Sequence, residues 1–83
     1  MNLYQLRYFV MLAETKHFGK AAERLCIAQP SLSHAIAQLE AELGVVLFER
    51  KNRSSTLTKE GMQFLSYVEK SLEILDNGIE TMA

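Results

Sequence analysis

Two helical patterns separated by a short break constrain the fold of this chain more than any other feature. Residues 18–25 carry apolar side chains three and four residues apart, which predicts a helix with one apolar face. After a break at residues 26–28, Pro30 opens a second helical pattern that runs to Gly44, because proline suits a first turn and glycine a C-terminal end. Ala22 supplies the small residue that two crossing helices need. The spacing therefore predicts a helix-turn-helix.

The remaining patterns predict a mainly α fold. A helix over residues 3–14 precedes the pair, and residues 46–50 and 55–58 have the composition of two short strands, with a polar tip at 51–54. A long last helix begins at Thr58, a residue that caps helices well. We expect three helices and a two-stranded hairpin in residues 1–57, followed by one helix over residues 58–83.

Size and composition exclude several classes of protein. The chain has 83 residues and one cysteine, Cys26, so it forms one small domain without an internal disulfide, which favours a reducing cytosol. We see no export leader, and charges interrupt every apolar run before about 18 residues, so we expect no membrane insertion. His17, His34 and Cys26 do not make a zinc pattern, and no nucleophile–base pair is evident. We expect neither an enzyme nor a bound metal or cofactor.

Charge is distributed unevenly along the chain. The net charge is −1, but residues 1–57 carry +2 and residues 58–83 carry −3. Three bases fall within residues 50–53. The basic segment next to a helix-turn-helix is evidence for a nucleic-acid partner. It counts for more than the negative net charge, which would argue against such a partner.

The outer face of the second helix of the pair is small and polar. A helix that enters the DNA major groove needs small residues for close approach and hydrogen-bonding residues for base edges. A solvated surface would have a similar composition, but the position after the turn favours base contact. The hydrogen-bonding candidates are Gln29, Ser33, His34 and Gln38.

The hairpin tip is the second candidate DNA contact. Arg50, Lys51 and Arg53 would meet the DNA backbone or the minor groove if the hairpin lies beside the helix pair. The alternative is that these charges only protect the edges of a short hairpin.

The last helix carries a heptad pattern. Its apolar residues alternate at spacings of three and four, and a helix of about 24 residues is about 36 Å long, more than a small domain covers. Docking on its own domain would give similar spacing, but we expect at least the distal half to meet a second copy. The predicted dimer residues are Leu65, Val68, Leu72, Leu75, Ile79 and Met82.

Beyond these patterns, the chain resembles the N-terminal region of LysR-type transcriptional regulators over essentially its whole length. That resemblance implies a winged helix-turn-helix, a linker helix that pairs antiparallel with its dimer mate, and binding to an interrupted inverted repeat near promoters. The runs that carry it are residues 6–9, 21–25, 28–33, 39–44, 47–50 and 57–61. Residues 26–30 are also similar to regulators of aromatic-compound catabolism.

By position, the resemblance places Gln29, Pro30, Ser33 and His34 near bases and Ser31 near a phosphate. It also implies that Arg53 contacts DNA from the hairpin, which is the wing of this fold, and that Arg50 lies nearer the strand.

Three positions depart from the common pattern of the family. Many members have a hydroxyl residue at Ala28, serine at His17 and arginine at His34. The histidine at position 34 can make that contact pH-dependent.

The resemblance also implies a larger C-terminal domain that senses a small-molecule inducer, so we interpret the chain as a truncation. A tetramer is an option for the full-length regulator. Two alternatives stay open: a stand-alone helix-turn-helix module, and a protein-interaction module that dimerises without binding specific DNA. Salt-sensitive, sequence-specific DNA binding would exclude the protein-interaction module, because only the other two interpretations predict it.

Overall fold

The computed structural model describes all 83 residues as four helices and one antiparallel hairpin. Three short helices and the hairpin form the body of the molecule, and the last helix packs on the body through its first half. The predicted winged helix-turn-helix with a long last helix is confirmed. The elements are α1 (Leu3–Thr15), α2 (Phe18–Leu25), α3 (Gln29–Leu43), β1 (Phe48–Lys51), β2 (Ser54–Leu57) and α4 (Lys59–Met82).

The ends of the helices follow the sequence signals. Asn2 and Gln5 form a reciprocal capping box at the start of α1, in which the Asn2 side chain accepts from the Gln5 amide at 2.9 Å. At the end of α2, Cys26 has a left-handed conformation with φ 59°, and its N–H donates to the carbonyls of the last turn. Gly44 ends α3 with φ 72°. Cys26 is therefore a turn residue, as the sequence predicts.

The core lies where α1, α2 and α3 meet β1 and the first half of α4. The Phe9 ring stands 5.5 Å from that of Phe48 and 5.4 Å from that of Phe64, so aromatic contacts join α1 to the hairpin and to α4. Ala22 and Ala35 are buried, as expected for small residues where α2 and α3 cross. The side chains with almost no exposed surface are Phe9, Leu12, Leu32, Ile36, Leu39 and Leu47.

Thr58 fixes the start of α4 against the segment before β1. Its hydroxyl accepts from the Gly61 amide at 3.0 Å and donates to the Val46 carbonyl at 2.6 Å, so the predicted N-cap is confirmed. Gly61 lies so close to this segment that a Cβ atom there would collide with the carbonyl oxygen of Leu47. The first turn of α4 therefore packs backbone against backbone.

The hairpin is shorter at its tip than the sequence suggested. The register pairs Phe48 with Leu57 and Lys51 with Ser54, which leaves a two-residue turn of Asn52 and Arg53. The expected tip of residues 51–54 and the expected strand start at residue 46 were wrong. The Asn52 backbone has φ 56°, a conformation that asparagine tolerates, so the chain can reverse there and both flanking residues stay paired.

The heptad pattern of α4 is covered by the domain in its first half and exposed in its second half. Val68 and Leu72 belong to the core of their own domain, with only 3% and 8% of their surface exposed, and Leu65 is half-buried against the same core. The body of the domain already covers this face of α4 and leaves Val68 and Leu72 little surface for a second copy, and the predicted dimer contact of these three residues stays a prediction. Leu75, Ile79 and Met82 lie further along, where the exposed fraction rises to 56% at Ile79 and 82% at Met82.

None of the four helices has an apolar stretch of the length that crossing a membrane requires. No three His, Cys, Asp or Glu side chains lie close enough together to hold a metal ion.

Candidate nucleic-acid interface

The outer face of α3 is open over its whole length. Pro30 stands in the first turn, and Ala28 caps the helix without a side-chain hydrogen bond, so the backbone amides there are not covered by a hydroxyl. Ser33 is half-buried. The other candidates are exposed: Gln29, Pro30, Ser31, His34 and Gln38.

Gln38 is less free than the others. Its Oε1 accepts a hydrogen bond from Nε2 of the buried Gln5, at 3.3 Å. Reading adenine with a glutamine needs both the oxygen and the nitrogen of the amide. This bond uses one of the two lone pairs of the oxygen and ties the Gln38 amide to α1, so two-point contact with a base is restricted while the bond holds.

The hairpin separates the three bases that the sequence groups together. Arg50 lies on the face that looks toward α2, and its guanidinium stacks 3.9 Å from the centre of the Phe18 ring. Arg53 is in the turn. Arg50 and Arg53 both line a cleft between α2, α3 and the hairpin, whereas Lys51 is exposed and does not line it. The structure therefore brings Arg50 and Arg53 together and leaves Lys51 apart from them.

A polar cleft of about 370 Å³ joins α2, α3 and the hairpin. Its charged or titratable side chains are all basic, and no carboxylate lines it. A backbone bond closes one end, since the Ser55 amide donates to the Lys16 carbonyl at 2.9 Å. Its lining residues are His17, Phe18, Gly19, Gln29, Arg50, Asn52, Arg53, Ser54 and Ser55.

Reasoning from sequence proposed Gln29, Arg50 and Arg53 of this cleft as DNA contacts and missed the other lining residues, among them His17, Gly19 and Ser55. His17 is the N-cap of α2, where its Nδ1 accepts from the Lys20 amide at 3.1 Å. The position just before the first helical residue was the available signal for it. Ser55 has no such signal, because only the hairpin register places it opposite Arg50.

An ion pair between two side chains lies away from this surface. Arg7 Nη2 is 2.9 Å from Asp76 Oδ1, which links α1 to the second half of α4. The hydrogen bond from Arg7 lowers the pKa of Asp76, and the same bond raises the pKa of Arg7. Both side chains are largely exposed, so this pair affects stability only slightly.

Known relatives align with almost the whole chain. The regulator AlsR of Bacillus subtilis is 48% identical over 80 residues, which are 96% of this chain and 26% of the relative. The regulator BenM of Acinetobacter baylyi is 50% identical over 76 residues, which are 92% of this chain and 25% of the relative. The chain thus spans about a quarter of the length of these curated relatives.

Solved structures show the same architecture. The BenM DNA-binding domain in complex with benA site 1 DNA superposes with a TM-score of 0.93 at 46% identity, covering 99% of this chain and 95% of that chain. The CbnR DNA-binding domain in complex with DNA gives a TM-score of 0.93 at 38% identity, covering 99% and 94%. The relatives named above are transcriptional regulators rather than enzymes.

The family model described as "Bacterial regulatory helix-turn-helix protein, lysR family" matches residues 3–62, which include both helices of the helix-turn-helix and the whole hairpin. This protein therefore belongs to the LysR family of bacterial regulatory helix-turn-helix proteins.

Proposed function

We propose that this chain recognises double-stranded DNA in a sequence-specific manner, as the operator-binding module of a dimeric bacterial transcription regulator. One observation carries the proposal: the exposed small and polar face of α3 continues into a basic cleft that it shares with the wing. A helix with that face fits a major groove, and the arginines beside it fit the adjacent phosphates or minor groove. The BenM and CbnR DNA-binding domains, solved in complex with DNA, support DNA binding by this chain.

Within this proposal the residues divide by role. Gln29, Ser33 and His34 contact base edges, and Pro30 packs closely against the groove. Ser31 and the wing residue Lys51 meet phosphates, while Gln38 contributes a donor at the edge of the surface. Arg53, at the turn of the wing, is the main contact outside the major groove.

We propose that residues 1–57 supply the DNA surface and residues 58–83 the dimer contact. The exposed distal residues of α4 pair with a second copy, and two copies read an interrupted inverted repeat. Tetramers and response to a small-molecule inducer belong to the rest of a full-length regulator, because the chain spans only a quarter of its relatives' length. Such a regulator acts in the cytoplasm, where bacterial DNA is.

Selection of duplexes from a random pool by the purified chain tests the proposal. The expected result is enrichment of inverted repeats with half-sites about one or two helical turns apart. Retention without sequence preference that disappears with added salt would contradict specific recognition. That second result would favour the interaction-module alternative.

Substitution of the wing arginine tests the placement of that contact. Arg53→Ala should weaken binding to a selected duplex by about 1–2 kcal/mol, as measured by fluorescence anisotropy. Lys70→Ala is the matched control, since Lys70 is an exposed base on α4 outside the cleft. Equal affinities for the Arg53 and Lys70 variants would place the wing away from DNA.

A further inference from the structure

Ser55 is buried in the hairpin without a partner for its hydroxyl. Only 1% of the residue is exposed, and Oγ makes no hydrogen bond in the protein. Most buried side-chain polar atoms have a partner, so a hydroxyl left unpaired at the edge of a polar cleft indicates a group that it binds there. The chemistry of the rest of the cleft identifies the kind of group.

The cleft presents hydrogen-bond donors and positive charge. Arg50 lies directly opposite Ser55 in the hairpin register, and Arg53 follows in the turn. Phe18 holds Arg50 in place by stacking on its guanidinium, so the charge is positioned before any ligand arrives. The absence of carboxylates among the lining residues leaves these charges uncompensated. An anion is the ligand that such a cleft favours.

The N-terminus of α2 adds donors to the same cleft. The first amides of a helix have no partner inside it, and His17 satisfies only that of Lys20. The amides of Phe18 and Gly19 come before it, at the positive end of the helix dipole. Because Nδ1 of His17 accepts a hydrogen bond, its neutral ring carries the proton on Nε2 and keeps a donor.

Gly19 keeps this end of the cleft open. A Cβ atom at this position would lie 3.0 Å from Cε1 of His17 and 3.7 Å from Oε1 of Gln29. A larger residue would therefore displace the capping imidazole and narrow the space between α2 and α3. The backbone of α2 can approach a ligand closely only with glycine here.

We propose that this cleft binds a single phosphate of the DNA backbone, held by the first amides of α2, His17, Arg50 and Ser55. The proposal rests on the DNA binding proposed above and names one site within it. A phosphate held here contacts α2 and the wing together, beside Gln29 of α3. It fixes the register of α3 in the groove without contributing to base preference.

Two conservative variants test the site. Ser55→Ala should weaken binding about tenfold, the loss expected for a hydrogen bond to a charged group. Gly19→Ala should weaken it to a similar extent, because the new methyl group crowds the imidazole of His17 and narrows the cleft. The loss should be equal for a selected duplex and a random duplex, because a phosphate contact carries no sequence information. Thermal unfolding of Ser55→Ala should be unchanged or slightly improved, since Oγ of Ser55 has no partner in the free protein. Ser71→Ala, at an exposed position on α4, is the control.

Neutral methylphosphonate groups, placed one at a time along the selected duplex, locate the phosphate. One position should weaken wild-type binding about tenfold and should have no further effect on Gly19→Ala, because the two changes remove the same interaction. Additive losses at every position would overturn the site. So would variants that lose affinity only for the selected duplex, since that result indicates base reading.

The outcome for this site is separate from that for DNA binding as a whole. A wild-type chain that binds no duplex contradicts the proposed function, whereas wild-type binding with unchanged variants contradicts only the cleft. Titration with inorganic phosphate, followed by the amide resonances of Gly19 and Ser55, checks the source of the anion. Saturable shifts without any methylphosphonate effect would assign the cleft to a small phosphate and overturn the DNA assignment.

Discussion

The two halves of α4 carry the same apolar spacing and have opposite surroundings. In the first half, Val68 and Leu72 are 3% and 8% exposed, because the body of the domain covers them. In the second half, Ile79 and Met82 are 56% and 82% exposed, and nothing in the chain reaches them. The change occurs between Leu72 and Ile79, close to where Arg7 of α1 pairs with Asp76.

This difference shows what a heptad pattern specifies. Spacings of three and four residues place apolar side chains on one face of a helix, but they do not determine whether that face meets the same chain or another copy. The size of the domain decides, since a helix of about 36 Å is longer than the body that covers it. The first half is therefore part of the fold, and the second half is free to form an interface.

The largest expected effect comes from placing a charge in the covered half. Leu72→Glu should destabilise the domain by about 4 kcal/mol or more, because a carboxylate would be buried without a partner. Far-UV circular dichroism during urea titration measures this loss. Ile74→Glu makes the same change at a residue that is 73% exposed and should leave unfolding nearly unchanged. A Leu72→Glu chain that is folded but monomeric would return Leu72 to the dimer interface.

Glycine-to-alanine substitutions in the two halves of α4 should change the free energy of unfolding in opposite directions. Gly61→Ala should cost about 2–3 kcal/mol, since the new methyl group would meet the carbonyl oxygen of Leu47 and force α4 away. Gly78→Ala should stabilise by up to about 1 kcal/mol, because no atom lies within 4 Å of its Cβ position and alanine favours a helix. Thermal unfolding of the two variants compares them directly. Equal shifts would show that the first turn of α4 can move without cost.

Charge in the uncovered half should affect association and leave folding intact. Ile79→Glu should raise the dimer dissociation constant at least tenfold, because a symmetric interface loses the same apolar contact in both copies. Sedimentation equilibrium measures the constant, and thermal unfolding of the monomer should not change. Thr81→Glu adds the same charge at an exposed residue off the predicted seam. A similar loss in both variants would indicate general repulsion between copies.

The fold was predictable where each element is determined by its own sequence. The cap residue Thr58, the turn at Cys26 and the glycine at position 44 are local signals, and all three occur as predicted. The hairpin tip was not predictable, because the register depends on which strand residues pair across the turn. The partner of each half of α4 depends on tertiary packing in the same way.

The candidate site also has one part that local sequence predicts and one part that depends on tertiary packing. The polar face of α3 follows from helical spacing, so its residues could be named from sequence. The cleft requires α2, α3 and the hairpin to come together, and no spacing within one segment reports that. The place of Gly19 and Ser55 in the cleft therefore became visible only in the structure, as did the bond that restrains Gln38.

The smallest expected effect concerns the ion pair at the boundary between the two halves. Asp76→Asn should lower the melting temperature by about 1–2 °C at pH 7, since exposed pairs contribute little. The hydrogen bond from Arg7 lowers the pKa of Asp76, so the stabilisation is present above the ordinary carboxyl pKa and is lost as the pH falls through the lowered value. Melting curves of the wild type and the variant should therefore converge at acidic pH. Arg7→Gln should give the same loss and add nothing to Asp76→Asn, whereas additive losses would show that each side chain stabilises its helix without the other.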